Sequence, residues 1–185
     1  MIWHHDVMSI LRFFKLNPDQ CQKSSAETET VRKIAQAMDQ LEPERAKFIA
    51  AFAYLLGRVA RADFKISPEE ISMMEKIVMR TGGLPEEQAV LVVQIAKTQN
   101  VLWGGTENYL VSREFKEMAS HEEKLALLDC LFAVAAAEES ISTVEDNEIS
   151  QIADELRIEH KDFIGVRSKH RDQLAVLLNN GNRQK

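Results

Sequence analysis

Two pairs of carboxylates are the side chains best suited to chemistry in this chain: Asp63 with Glu70, and Glu138 with Glu145, seven positions apart in each case. The first pair lies in ADFKISPEE, residues 62–70, between two segments of helical period. Neither pair has a histidine or thiolate in its own stretch. All-oxygen donors suit a hard cation such as Ca²⁺, Mg²⁺ or Mn²⁺ better than a closed zinc site. Glu70 and Glu145 also complete capping boxes, Ser67-Pro68-Glu69-Glu70 and Ser142-Thr143-Val144-Glu145. In these the serine caps free N–H groups and the glutamate reaches back, a device worth about 1 kcal/mol. That explains the two glutamates by itself, and it also holds alongside ligand duty. Asp63 and Glu138 have no such account. Each stands where the preceding helix should end, at the negative end of its dipole, where an acid costs about 0.3–1 kcal/mol. Arg58 and Arg61 can neutralise Asp63, but the matching positions in the second stretch are Ala133 and Ala136. An acid placed there twice points to a bound cation, with a side-chain turn bond or another basic group as the alternatives.

The two stretches are related by more than their acids. Shifted by 75 residues, 52–81 lies on 127–156 without a gap and with eight identities in thirty positions. Leu56, Val59, Ala60, Ala62, Ile66, Ser67, Glu70 and Ile77 recur as Leu131, Val134, Ala135, Ala137, Ile141, Ser142, Glu145 and Ile152. Met74 falls on Ile149 and Asp63 on Glu138, so the chain reads as a duplicated helical hairpin with the same punctuated loop in each copy. The loop is not an EF-hand. It lacks alternating Asp/Asn oxygens and the central glycine, and Met74 stands where the closing glutamate belongs.

Helices must position these loops. Phe48, Phe52, Leu55, Leu56 and Val59 form one apolar stripe, and Ile71, Met74, Ile77 and Val78 form another. Gly82 and Gly83 suit a helix C-terminus and Pro85 a first helical turn. Further helices are predicted near 107–118, 120–138, 144–157 and 160–179, and no strand. Residues 2–16, with Trp3, Ile10, Leu11, Phe13, Phe14 and Leu16, are expected to form a short amphipathic helix. With two cations it suits docking on the body better than peripheral contact with a membrane surface. Residues 17–29 read as a linker. The division is therefore an N-terminal helix and linker over 1–29, then a helical bundle over 30–185 with repeat halves at about 43–98 and 120–178.

Composition agrees. Of 185 residues, 45% are hydrophobic and 28% charged, with only seven glycines and four prolines, which favours a soluble all-α fold. A net charge of −6 leaves no basic surface for nucleic acid; Arg167, Lys169, His170 and Arg171 read as a solvated face. Cys21 and Cys130 lack a CxxC partner, and Cys130 sits on an apolar stripe as a core filler. No secretory leader or membrane span is visible, so the expected compartment is cytoplasmic. A di-iron bundle needs Glu-x-x-His pairs, but Met118, Arg157 and Arg167 stand three residues before His121, His160 and His170. The Met73-Met74 pair reads as core, Gly104-Gly105 as a turn, and nothing argues for an enzyme.

The hairpin motif A-x-A-D-x-x-I-S-x-x-E, present as VARADFKISPEE and VAAAEESISTVE, resembles the tellurite-resistance TerB-like family of bacterial helical proteins. The tail LRIEHKDFIGVRSKH is similar to the family's last segment, and the resemblance covers roughly residues 30 to 178. It implies an all-α bundle of about seven helices whose acidic loop positions, here Asp63, Glu70, Glu138 and Glu145, are proposed to hold a divalent metal. It also implies a role in tellurite or general stress responses. The chain departs from the pattern at Phe64 and Glu139, where the family has glycine, and at Glu138, where Asp is typical. Two readings follow: a non-enzymatic divalent-cation binder, or a metal-free helical module that contacts another protein.

Overall fold

The computed structural model describes residues 25–60, 68–99, 108–138 and 140–175. The helix expected over 2–16 lies outside the described residues, as does Asp63. Eight α-helices occupy the described part: α1 Ser25–Asp39, α2 Pro43–Val59, α3 Pro68–Arg80, α4 Glu86–Gln99, α5 Asn108–Met118, α6 His121–Ala135, α7 Thr143–Glu155 and α8 His160–Lys169. Short 3-10 turns follow α6 at Ala136–Glu138 and α8 at Arg171–Gln173. The architecture is all-α.

α2 is the centre of the bundle. Pro43 opens it at the first helical position, and every residue from Phe48 to Val59 is buried. The stripe read from the sequence describes only one of its faces. Ala50, Ala51 and Ala53 line the others, where small side chains let neighbouring helices approach. A helix covered on all sides belongs in the core, and α2 packs against α4, α5, α6 and α7. Phe48 and Phe52 meet Phe115 of α5 with ring centroids 5.1 and 6.3 Å apart. Leu127, Leu128, Cys130, Leu131 and Phe132 make α6 a second internal helix. It touches α2 and carries α3, α7 and α8. The first helix of each hairpin thus packs on the second helix of the other, α2 on α7 and α6 on α3.

Local chemistry sets the ends. A Cβ at Gly82 would lie 2.6 Å from the Val78 carbonyl oxygen and 3.0 Å from the Phe52 ring, and Gly83 has φ +68°, so both positions demand glycine. The Pro85 carbonyl accepts from Gln88 and Ala89 N–H at 3.0 and 2.9 Å, which places Pro85 just before α4 instead of within it. α7 ends in a Schellman motif: Ile158 N–H donates to Ala153 C=O at 3.0 Å and Arg157 N–H to Asp154 C=O at 3.1 Å. The turn needs a left-handed residue, and Arg157 supplies it at φ +56°.

Three expectations change. α1 begins at Ser25, inside the stretch read as linker, because the Ala-Glu-Thr-Glu run extends the helix without needing an apolar face. Met74 is buried, but Met73 is 46% exposed, so only one of the pair is core. The helix expected over 160–179 is broken: α8 stops at Lys169, and residues 176–179 lie outside the described residues. Beyond it, Leu174 leaves the helical path to form an isolated parallel bridge with Ile141. There Ile141 N–H donates to Gln173 C=O at 2.7 Å, and Ala175 N–H donates to Ile141 C=O at 3.0 Å. Burial of Leu174 and Ile141, each 1% exposed, replaces what a further helical turn would have contributed.

Candidate functional site

The two acidic loops open helices of equal length in equal register. α3 spans Pro68–Arg80 and α7 spans Thr143–Glu155, both 13 residues. Their ends fall at the offset of 75 residues at which the sequence matches itself. Glu70 lies in the first turn of α3, and Glu138 closes the 3-10 turn after α6. The side chains of both are outside the described residues, as is the whole of Asp63.

Glu145 is the fully described member of the set. Ser142 Oγ accepts from Glu145 N–H at 3.2 Å, and Glu145 Oε2 accepts from Ser142 N–H at 2.8 Å. The capping box read from the sequence is therefore formed in the second loop. Glu145 is only 9% exposed, and its other oxygen, Oε1, takes no hydrogen bond from the described residues. Among the described residues no group of three or more His, Cys, Asp or Glu side chains is arranged to hold a metal.

The strongest polar feature of the bundle is elsewhere. Arg58, 4% exposed near the end of α2, donates from Nε to Glu148 Oε1 at 2.8 Å. Its Nη1 donates to Glu155 Oε2 at 2.6 Å and to Ser112 Oγ at 3.1 Å, and Nη2 reaches Glu155 Oε1 at 3.3 Å. Ser112 of α5 donates its hydroxyl to Glu155, and Gln151 Nε2 donates to Glu155 Oε1 at 2.9 Å. One guanidinium thus ties α2, α5 and α7 together. Burial alone would raise the Glu155 carboxyl, but the hydrogen bonds from Arg58, Ser112 and Gln151 outweigh it and hold Glu155 below the usual carboxylate range. The same carboxylates hold Arg58 above its ordinary value against the opposing effect of burial. Arg58 therefore spends most of its donors on α5 and α7, not on the first loop.

The signal for this network was present in the sequence. Arg58 is the one charged residue in FIAAFAYLLGRV, and Glu148 and Glu155, seven apart, share a face of α7. Reading Arg58 only against its chain neighbour Asp63 missed its partners.

The basic residues of α8 are also committed. Arg167 donates to both oxygens of Asp146, from Nε at 2.8 Å and Nη2 at 2.6 Å. Lys169 Nζ donates to Asp129 Oδ2 at 3.0 Å, and His170 Nε2 lies 2.7 Å from Asp129 Oδ1. Cys130 is fully buried, and burial pushes its thiol up to about 12, so it stays protonated and unreactive.

An all-α bundle in which two hairpins exchange helix contacts, each with an acidic loop before its second helix, is the class that fold and site define. The family model of the tellurite resistance protein TerB matches residues 48–168, well over half of the chain. The chain belongs to this family. The match runs from Phe48 in α2 to Ser168 in α8, narrower at both ends than the 30–178 expected from the motifs, and it contains all four acidic positions. No curated protein matches the chain, and no solved structure does.

Proposed function

We propose that this TerB-family protein binds a divalent cation through its paired acidic loops, with Asp63, Glu70, Glu138 and Glu145 as ligands, and acts without catalysis in a cytoplasmic stress response of the tellurite-resistance type. The observation that carries the reading is an acid in the first turn of the second helix of each hairpin, Glu70 and Glu145, at matched helix register, each preceded seven positions earlier in the sequence by another acid. Two carboxylates per loop supply oxygen donors for Ca²⁺, Mg²⁺ or Mn²⁺ ahead of zinc. The burial of Glu145 at the mouth of the second loop is compatible with this, and family membership sets the context. Among the described residues no helix is long and apolar enough to cross a membrane.

Calorimetric titration of metal-stripped protein with Ca²⁺, Mg²⁺, Mn²⁺ and Zn²⁺ tests the proposal, run beside the Asp63→Asn/Glu138→Gln double variant. Saturable binding that the variant loses is the expected result. A folded wild type that binds none of them sinks it. The second reading, a metal-free module contacting another protein, would then stand, favoured by the formed Ser142–Glu145 capping box, which accounts for that glutamate without a ligand.

A further inference from the structure

The second acidic loop is held by a segment beyond the family match, which ends at Ser168. Just past that point the chain is clasped to α6. His170 Nε2 and Lys169 Nζ reach the two oxygens of Asp129 at 2.7 and 3.0 Å, and the imidazole stacks on Phe132 at 5.6 Å between centroids and 17° between planes. The 3-10 turn Arg171–Gln173 then carries Leu174 to Ile141, whose N–H and C=O are both bonded to this segment. Ile141 is the residue before Ser142, whose N–H and hydroxyl form the capping box with Glu145, and it lies three positions after Glu138.

We propose that residues 169–175 are a strap, clasped by His170 to Asp129, that fixes the second acidic loop at Ile141 and so preorganises Glu138 and Glu145 for a ligand. The preorganisation half rests on the cation reading above. The physical reason is entropic. A loop free at Ile141 must be ordered when a ligand binds, and that cost is subtracted from affinity, whereas a loop already pinned through both its backbone groups has met it on folding. Asp129 holds the clasp as an anion: burial opposes its charge, but the hydrogen bonds from His170 and Lys169 prevail and keep it below the usual carboxylate range. The strap therefore couples α6, the C-terminal segment and the loop without using any of the four acids.

Amide hydrogen exchange on the full chain tests the strap, comparing wild type with His170→Ala and with Ala175→Pro. The proline deletes the N–H that bonds Ile141 C=O and is compatible with the extended Leu174 before it, at ψ 114°. In both variants Ile141 N–H exchange should rise by about tenfold, with α6 amides such as Leu131 unchanged. The Kd for Mn²⁺ should rise by about tenfold as well. Unaltered Ile141 exchange in both variants overturns the strap, and faster exchange with unaltered Mn²⁺ affinity overturns the preorganisation. Should His170→Ala lower protection throughout the chain, Ala175→Pro decides, since it removes one hydrogen bond and no side-chain contact. Should wild type bind none of Ca²⁺, Mg²⁺, Mn²⁺ and Zn²⁺, the cation reading fails and the preorganisation with it, while Ile141 exchange still decides the strap.

Discussion

The two hairpins share their apolar faces and differ in how the crossed contact is fastened. Leu56 and Leu131 are both fully buried, Val78 and Ala153 are both buried, and Val59 pairs with Val134 at the same offset of 75. Where α2 meets α7, however, Arg58 is gripped by Glu148, Glu155 and Ser112. The corresponding positions where α6 meets α3 are Ala133, Met73 and Arg80, and Met73 and Arg80 are exposed. One crossed contact is fastened by an ionic network, and at the matching positions of the other, among the described residues, no such network forms. A buried ion pair is weak evidence of added stability, because desolvation consumes most of the attraction, but it is strict about which partners may face each other. The network therefore acts as a register device for α7 against α2 and α5. The apolar pattern builds the crossed arrangement, and the ions select one way of closing it.

The largest effect should come from removing the centre of that network. Arg58→Met removes the buried cation shared by the partly buried Glu148 and Glu155, and chemical denaturation should show a loss of up to about 3 kcal/mol. Changing Glu148 and Glu155 to Met as well removes those two carboxylates and should recover most of that loss. A triple variant as unstable as the single one would contradict the register interpretation.

A second, smaller effect is in the pH dependence. Glu155 has a folded value held below its unfolded one, so its contribution is fully present above the unfolded value and is lost as pH falls through the folded value. Stability should be flat in this contribution at neutral pH and decline with acid, beginning just below the ordinary glutamate value of 4.5. In Arg58→Met that acid slope should shrink. An unchanged slope would show that another carboxylate controls it.

The smallest effect concerns the caps. Ser142→Ala should cost about 1 kcal/mol in thermal or denaturant unfolding, because it leaves the Glu145 N–H without its side-chain acceptor. Ser67→Ala, made in parallel, asks whether the first loop carries the same device. Equal losses would make the loops alike, and a silent Ser67 variant would extend the asymmetry of the helix contacts to the loops.

Much of this molecule was legible in its sequence, and the reason is locality. Helix period, the Gly82-Gly83 stop and the Ser142-x-x-Glu145 box depend on residues within a turn or two of each other, so the all-α class, the equal register of α3 and α7 and the buried stripe of α2 could be read directly. Membership of the TerB family followed from the same short motifs. The tertiary structure alone decided what Arg58 touches, since Glu148 and Glu155 lie 90 and 97 positions away and come within reach only when α7 crosses α2. It also decided that α8 ends at Lys169. No local signal stops a helix there; the stop comes from Asp129, Phe132 and Ile141, which offer His170 and Leu174 better partners than the next helical turn. Periodicity states which side chains a helix will bury, whereas the partners of a buried charge or a diverted backbone are set by packing between distant elements.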